Sequence, residues 1–369
     1  NITTRANGNQ DFEERISAGY LMGQVQLGKF SVLSGVRIEK TETDGEGALV
    51  TITPEERARR AAWVGTVTDA ELRRRTLEEY SRRATNRGSY RDVLPGLHVK
   101  YSPTRNVVGR LSYAKNIGRP GIGELVPRTT VDDNERDITA TNPGLLPQIA
   151  DNFDASVEYY FEPAGVLSAG VFLKEISRFI YRAGGATVGT GADNGFGGNY
   201  AGYDLVTSYN GGTAKVKGLE LSYNQQFTFL PGRWSGFGAH ATYTKMETSG
   251  QYASGGALVT TREVPGFNPF VANAGLSYIH RGVTVRLQYN YTGRFLRAYS
   301  ANDSRLQYNK ARRTVDLRTR FSLSRRTDVY LDVANIFNEP DSASEFGAGR
   351  PRQVKRMSPL FSFGVNARL

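Results

Sequence analysis

Apolar and polar side chains alternate along most of this chain, and the alternation recurs in segment after segment. Phe30, Val32, Val36 and Ile38 are interleaved with Ser31, Gly35, Arg37 and Glu39. Val283, Val285, Leu287, Tyr289 and Tyr291 alternate with Thr284, Arg286, Gln288, Asn290 and Thr292. The same rhythm runs through Phe153 to Phe161, Leu219 to Phe229 and Val315 to Phe321. A strand sends successive side chains to opposite faces, so each segment has one apolar face and one polar face. The pattern predicts about thirteen strands. They lie near 13–27, 29–42, 91–103, 105–117, 151–163, 165–181, 214–230, 233–247, 267–281, 283–296, 310–323, 327–337 and 357–369. A short extra strand is expected at 203–210.

The connections alternate as well. Tight turns fall at Gly28-Lys29, Ser102-Pro103-Thr104, Pro163-Ala164-Gly165, Leu230-Pro231-Gly232, Arg281-Gly282 and Arg325-Arg326. Long ones cover roughly 43–90, 118–150, 182–213, 248–266, 297–309 and 338–356. Short turns on one side and long loops on the other are the signature of an outer-membrane β-barrel. A soluble two-layer β protein predicts the same alternation but not this sorting of loops. The closing strand sets the direction. Phe361, Phe363, Val365, Ala367 and Leu369 form an apolar face that runs to the last residue. Barrels of this kind finish at the periplasmic rim, which puts the long connections outside the cell and starts the first strand there. An odd strand count and an outside start lead to the expectation of further strands before residue 1.

Composition refines this picture. Tyr (20), Phe (18) and Gly (41) are abundant, as strands and turns require. Mean hydropathy is low, at −0.45. No run approaches the roughly 18–20 apolar residues of a membrane helix, but a barrel strand needs only alternate residues to face lipid. With no cysteine, disulfide scaffolds and thiolate metal sites are excluded. The opening NITTRANGNQ is polar and shows no signal peptide. The net charge of +11 is spread over turns, loops and alternate strand positions, without the continuous basic stripe of a nucleic-acid binder. No HExxH or GxSxG arrangement occurs, and His98, His240 and His280 are far apart, so an enzyme is not expected and no metal or cofactor is implied.

Four runs and the closing strand carry a family resemblance. VVGRLSYAKNIGRPGIGELVP (107–127), NPGLLPQIADNFDASVEYYF (142–161), KVKGLELSYNQQF (215–227), VYLDVANIFNE (329–339) and FSFGVNARL resemble, in order, the barrel half of a TonB-dependent outer-membrane receptor. The resemblance implies an all-β, antiparallel transmembrane barrel of about 22 strands, of which 13–14 would be present here. It also implies a plug and a TonB-contacting segment in the missing N-terminal region, so that residues 1–369 would be a partial barrel domain. The implied activity is import of a scarce nutrient, an oligosaccharide or an iron chelate, across the outer membrane of a Gram-negative bacterium. The style of the motifs is closer to receptors for carbohydrate uptake. The alternative is a passive porin of about fourteen strands. Outer-membrane lipid and lipopolysaccharide, the TonB complex and a surface lipoprotein are the candidate partners.

Candidate binding residues fall in two sets. By parity Arg37, Glu39, Arg110, Asp154, Glu158, Glu220, Arg286, Asp316, Arg318 and Arg320 face the lumen, where polar groups touch substrate or plug, or simply pair with one another. Within 43–90, Thr53-Pro54-Glu55-Glu56 and Thr68-Asp69-Ala70-Glu71 read as capping boxes for two short helices. Arg73, Arg74 and Arg75 would sit on this extracellular lid and meet an anionic ligand, solvent or lipopolysaccharide. Tyr200, Tyr203 and Tyr299, with Phe267 and Phe346, lie near loop–strand junctions, where they can stack on a sugar or an aromatic iron chelate or serve as girdle residues.

Overall fold

The alternating segments build one antiparallel sheet in which each strand pairs with the next along the chain. The structure, a computed structural model, describes residues 8–50, 52–133, 135–162, 164–254, 257–299, 303–345 and 350–367. The strands are β1 (Asp11–Leu27), β2 (Phe30–Leu49), β3 (Arg82–Tyr101), β4 (Val107–Gly118), β5 (Gln148–Phe161), β6 (Gly165–Ser177), β7 (Thr213–Gln226), β8 (Phe237–Ser254), β9 (Phe270–His280), β10 (Val283–Thr292), β11 (Arg312–Ser322), β12 (Thr327–Ala334) and β13 (Leu360–Ala367). Ala257–Thr261 folds back on β8 as a short additional strand. Phe346 and Leu369 lie outside the described residues.

Register turns the separate apolar faces into one band. Leu97 faces Tyr113, Tyr113 faces Phe153, and Phe153 faces Leu173. Further along, Leu276 faces Leu287, Leu287 faces Leu317, Leu317 faces Val333 and Val333 faces Phe361. A slip of one residue would throw these side chains to the polar face, so the shared band fixes the pairing. A two-layer fold would bury Phe30, Leu219, Tyr289 and Phe363; they are instead 46%, 37%, 39% and 82% exposed. No second layer covers this face among the described residues.

Aromatic rings mark both edges of the band. At the end with tight turns, Phe30 stacks on Tyr101 at 4.4 Å, Phe161 on Tyr223 at 6.2 Å and Trp234 on Phe237 at 5.7 Å. At the other end Tyr113 meets Phe153 at 5.1 Å, and Phe270 meets Tyr243 at 5.1 Å and Tyr291 at 5.3 Å. On β2 the apolar run from Phe30 to Ile38 rises about 27 Å along the strand. Tilted by about 40°, that is about 21 Å, close to the roughly 25 Å apolar belt of an outer-membrane barrel.

The tight turns use residues that tolerate a left-handed backbone. Arg281 and Gly282 have φ of 46° and 83°, as a two-residue hairpin turn demands.

β2 and β3 depart from the expected 29–42 and 91–103, running on to Leu49 and starting at Arg82. Beyond Ile38 the outward residues are Lys40, Glu42, Asp44 and Glu46, so the apolar signal fades while the ladder continues. The segments expected at 165–181 and 283–296 each break in two. Ile180–Thr187 and Phe295–Ala298 leave the main sheet and join small sheets within the loops.

Buried side chains concentrate in those loops rather than in the wall. Ile176, Phe179, Tyr181, Ala214, Tyr252 and Val264 form a buried cluster at the loop end of β6–β8. Ala48 and Val50 at the end of β2, and Leu125 and Val126 in the 119–147 connection, are buried as well. There the 119–147 connection lies so close to β2 that a Cβ on Gly47 would sit 1.8 Å from the Pro127 carbonyl oxygen.

Candidate functional site

All six long connections emerge at one end of the sheet, and each is tied to the next. Between β2 and β3 stand two helices, α1 (Pro54–Ala61) and α2 (Asp69–Glu79). The hydroxyls of Thr53 and Thr68 accept from the backbone N–H groups of Glu56 and Glu71, at 3.2 and 3.3 Å. Each such cap stabilises its helix by about 1 kcal/mol. The carboxylates of Glu56 and Glu71 do not complete a reciprocal capping box. They turn to arginines instead.

Those arginines bind the two helices together. The Glu56 carboxylate accepts from Arg59 (3.0 Å), Arg60 (2.8 Å) and, from the other helix, Arg74 (2.6 Å). Glu71 accepts from Arg74 (3.2 Å), Arg75 (2.6 Å) and, from α1, Arg59. Arg60 also reaches Glu79 at 3.3 Å. Burial works against the Glu56 carboxylate, but Arg60 and Arg59 outweigh it and hold it below the usual carboxylate range. Glu71 is lowered in the same way, by Arg75 and Arg59 against its burial. Arg59 and Arg75 flank the Trp63 ring at 5.8 and 5.7 Å.

The helices rest on the Gly-rich loop between β6 and β7. Tyr200, at φ 58°, donates its hydroxyl to Glu79 at 3.0 Å, and Arg57 donates to the Gly197 carbonyl at 2.9 Å. Burial and the facing Glu79 carboxylate push the Tyr200 phenol well above its usual range. Rings continue inward from there: Phe196 meets Tyr200 at 6.1 Å and Tyr200 meets Tyr203 at 5.5 Å. The β4–β5 loop supplies the next link. Asp133 accepts from the Tyr203 hydroxyl at 3.0 Å, Arg136 lies over its ring at 5.3 Å, and Asp137–Ala140 pairs in parallel with Asp204–Asn210.

The remaining links are aromatic and β-paired. Tyr181 meets Tyr252 edge-on at 4.9 Å, and Tyr252 stacks on Tyr299 at 4.0 Å, which joins the loops after β6, β8 and β10. Each such pair adds about 0.5–1.5 kcal/mol beyond area burial. Tyr308 donates to Glu263 at 3.1 Å, and its ring lies 3.6 Å from the Arg294 guanidinium. Gln307–Asn309 then pairs with Asp341–Glu345 of the last long connection.

A model of the TonB-dependent receptor-like β-barrel family matches residues 1–336. The chain belongs to this family.

Solved TonB-dependent receptors share the fold at low sequence identity. The siderophore receptor PiuA from Acinetobacter baumannii is 15% identical, with a TM-score of 0.62 over 97% of this chain and 44% of that one. The ferric-catecholate import receptor Fiu from E. coli is 15% identical, with a TM-score of 0.63 over 97% and 45%. The hemophore receptor HasR from Serratia marcescens, solved with its hemophore and heme, is 14% identical, with a TM-score of 0.60 over 96% and 51%. The chain thus spans about half the length of these receptors, or less. No curated protein matches it in sequence.

The register of this TonB-dependent receptor wall places all ten residues expected in the lumen on its polar face, where several are drawn together. Glu39 accepts from Arg37 at 2.9 Å and from Arg119. Arg110 pairs with Glu158, and Ser112 donates to Asp154 at 3.3 Å. Asp316 accepts from Asn290 at 3.1 Å and from the Asn335 backbone at 2.7 Å; Arg320 pairs with Asp328. Arg286 stands opposite Arg318, while Glu220 is exposed between Gly170 and Thr244. In the loops Arg74 and Arg75 are held by carboxylates, whereas Arg73 is exposed. Sequence reasoning missed Arg119, Arg136 and the Phe179–Tyr181–Tyr252 cluster. The run KNIGRPGIGELVP did contain Arg119, but only the fold shows that it reaches Glu39.

Proposed function

We propose that this chain forms a sector of the wall of an outer-membrane, TonB-energised importer in a Gram-negative bacterium, and that its cargo first binds the linked loops. The carrying observation is a family member whose six long connections are joined into one canopy above a polar inner face. In this reading residues 1–369 are the C-terminal part of a barrel of about 22 strands. The plug and the segment that touches TonB belong to the remainder of the receptor. Coverage of 44–45% of PiuA and Fiu supports that division.

The canopy chemistry favours an anionic cargo with flat groups. Arg136 over Tyr203 and Arg294 over Tyr308 present cations and ring faces together. The exposed Arg73 adds further positive charge among the loops. An iron chelate with aromatic or carboxylate donors has this chemistry; Fiu is a ferric-catecholate import receptor and PiuA a siderophore receptor. An oligosaccharide is the second reading, supported by the style of the four sequence runs. A passive porin is disfavoured by family membership and by loops knitted across the mouth. The test is a deletion strain of the host, complemented with the gene and grown on ferric chelates or oligosaccharides as limiting nutrient, with and without TonB. Complemented uptake that disappears without TonB supports the importer. Uptake that persists without TonB would make the chain a passive pore, and restoration on sugars alone would exclude the iron chelate.

A further inference from the structure

The ladder between β3 and β4 stops short. It runs from Tyr101 and Gly109 up to Gly96 and Ala114 and ends there. Beyond that row β3 still pairs with β2 as far as Arg82, and β4 with β5 as far as Gly118. From Pro95 upward the two strands therefore carry no ladder between them. Pro95 has no N–H to give, and a proline inside a sheet sits at a free edge. The gap opens just above the facing Leu97 and Tyr113, at the outer aromatic edge of the band, where water can satisfy unpaired backbone. At the level of Asp92, four residues along β3 from Gly96, Arg119 reaches from the end of β4 to Glu39 on β2 and closes the gap. Its height along β3 is thus about 13 Å.

Behind the gap the inner face turns apolar. The row that ends the ladder is Met22, Gly35, Gly96 and Ala114, in register across β1–β4. Gly35 and Gly96 face one another and leave a floor without side chains. Leu33 stands on one side of that floor, and Tyr20 and Leu94 stand on the other. These residues line a cavity of about 370 Å³, and the outward-facing Val36 and Pro95 also belong to its wall. Tyr20 and Met22 are 71% and 64% exposed. An apolar hollow in a wet lumen, joined through the gap to the lipid-facing band, has the chemistry of a seat for an alkyl chain. We propose that the gap admits one acyl chain of an outer-leaflet amphiphile from the side, onto Gly35 and Gly96 and against Met22, Leu33 and Leu94, while its head stays at the membrane boundary. The site rests on the membrane placement in the preceding reading but not on the cargo.

The test photolabels the intact receptor in phospholipid vesicles with two probes. One is a phospholipid carrying a diazirine on one acyl chain, which cannot leave the bilayer; the other is the free diazirine fatty acid. Peptide mass spectrometry maps the adducts. The phospholipid probe is expected to mark the inward Met22 and Leu94 as well as the outward Leu97 and Val99. A Cβ at Gly96 would meet nothing nearer than 3.8 Å, so Gly96→Leu fits the backbone and fills the hollow. It should lower the inward adducts about ten-fold, the cost of displacing about two methylenes of chain, and leave the outward adducts within about two-fold. If Gly96→Leu does not give a heat-modifiable folded barrel, Met22→Gln, at an exposed side chain, should lower the Leu94 adducts in the same direction. Inward residues left unmarked while Leu97 and Val99 are marked would mean that the rest of the receptor covers them, and would overturn the site. Equal inward marking in the variants overturns it too. Inward marking by the fatty acid alone would place entry through the lumen and overturn the lateral route. Leu97 and Val99 left unmarked would refute the membrane placement itself.

Discussion

Leu287 tests the membrane reading most sharply. It lies on the outward face between Leu276 and Leu317 and is 44% exposed. Val283 and Tyr291, the two ends of the apolar run on β10, are each about 14 Å away along the strand. With a tilt of about 40° the residue is about 10 Å from either boundary, the midplane of the belt. Arg at that depth in lipid costs about 2–4 kcal/mol, whereas Arg at the rim, as in Tyr291→Arg, costs about 0–1 kcal/mol. On a water-facing sheet the same charge would shift stability by no more than about 0.5 kcal/mol. Leu287→Ala serves as the control, because losing half-buried side-chain contacts costs about 1 kcal/mol in either setting. The assay is equilibrium folding of the intact receptor into phospholipid vesicles against denaturant. Leu287→Arg should be less stable than Leu287→Ala by about 1–3 kcal/mol. Equality of the two within about 0.5 kcal/mol would place the band in water and remove the basis of the importer reading.

Two further perturbations probe the canopy. Glu56→Gln removes the carboxylate shared by Arg59, Arg60 and Arg74 and should loosen α1 against α2 by about 2 kcal/mol, read as faster hydrogen exchange over 54–79 with the wall strands unchanged. Folded-state values for Glu56 and Glu71 lie below the ordinary 4.5, so their contribution is complete above that pH and is lost as pH falls through the lowered values. Exchange in the hairpin should therefore be flat from pH 7 to about 5 and rise only below about 4, after correction for intrinsic rates; loss beginning near pH 6 would contradict this account. Gly47→Ala forces the Pro127 carbonyl away from β2 and should cost about 1–3 kcal/mol locally, seen as exposure of 122–127 to protease. An unaltered cleavage pattern would show that the close approach is not needed.

The wall was legible in the sequence because lipid imposes one rule on every strand. Where outward residues must be apolar, as from Phe30 to Ile38, period-two alternation is strong and strand positions follow from it. The rule stops at the membrane boundary. On β2 the residues from Lys40 to Glu46 are polar on both faces, so nothing in their pattern separates ladder from loop. The helices announced themselves through Thr53, Pro54 and Thr68, which are local signals. What Glu56 and Glu71 do there was hidden, because their partners Arg74 and Arg59 come from the opposite helix. For the same reason Tyr200 and Tyr299 could be placed near junctions, but their attachment to Glu79 and Tyr252 depends on contacts between residues far apart in sequence.

The two halves of the molecule are stabilised by opposite means, and this bears on how a cargo can act. The wall has an exposed apolar face, which only lipid can satisfy. The canopy carries its own buried clusters, around Tyr252 and around Val126, together with the arginine–glutamate knot of α1 and α2. Its six loops are linked through a few shared side chains and ladders, with the β6–β7 loop joined to those after β2, β4 and β8, so a displacement at one link is felt first by the loops it touches. Glu79 is the natural point of entry. It holds Tyr200 from the Gly-rich loop and Arg60 from α1, and a ligand anion that drew Arg60 away would leave Glu79 with Tyr200 alone. Such a ligand would loosen α1 from α2 while leaving the Tyr181–Tyr252–Tyr299 stack untouched, because that stack shares no side chain with the knot. In the proposed importer, this linkage lets the loops above β2–β3 respond to cargo while those above β7–β11 remain a fixed platform.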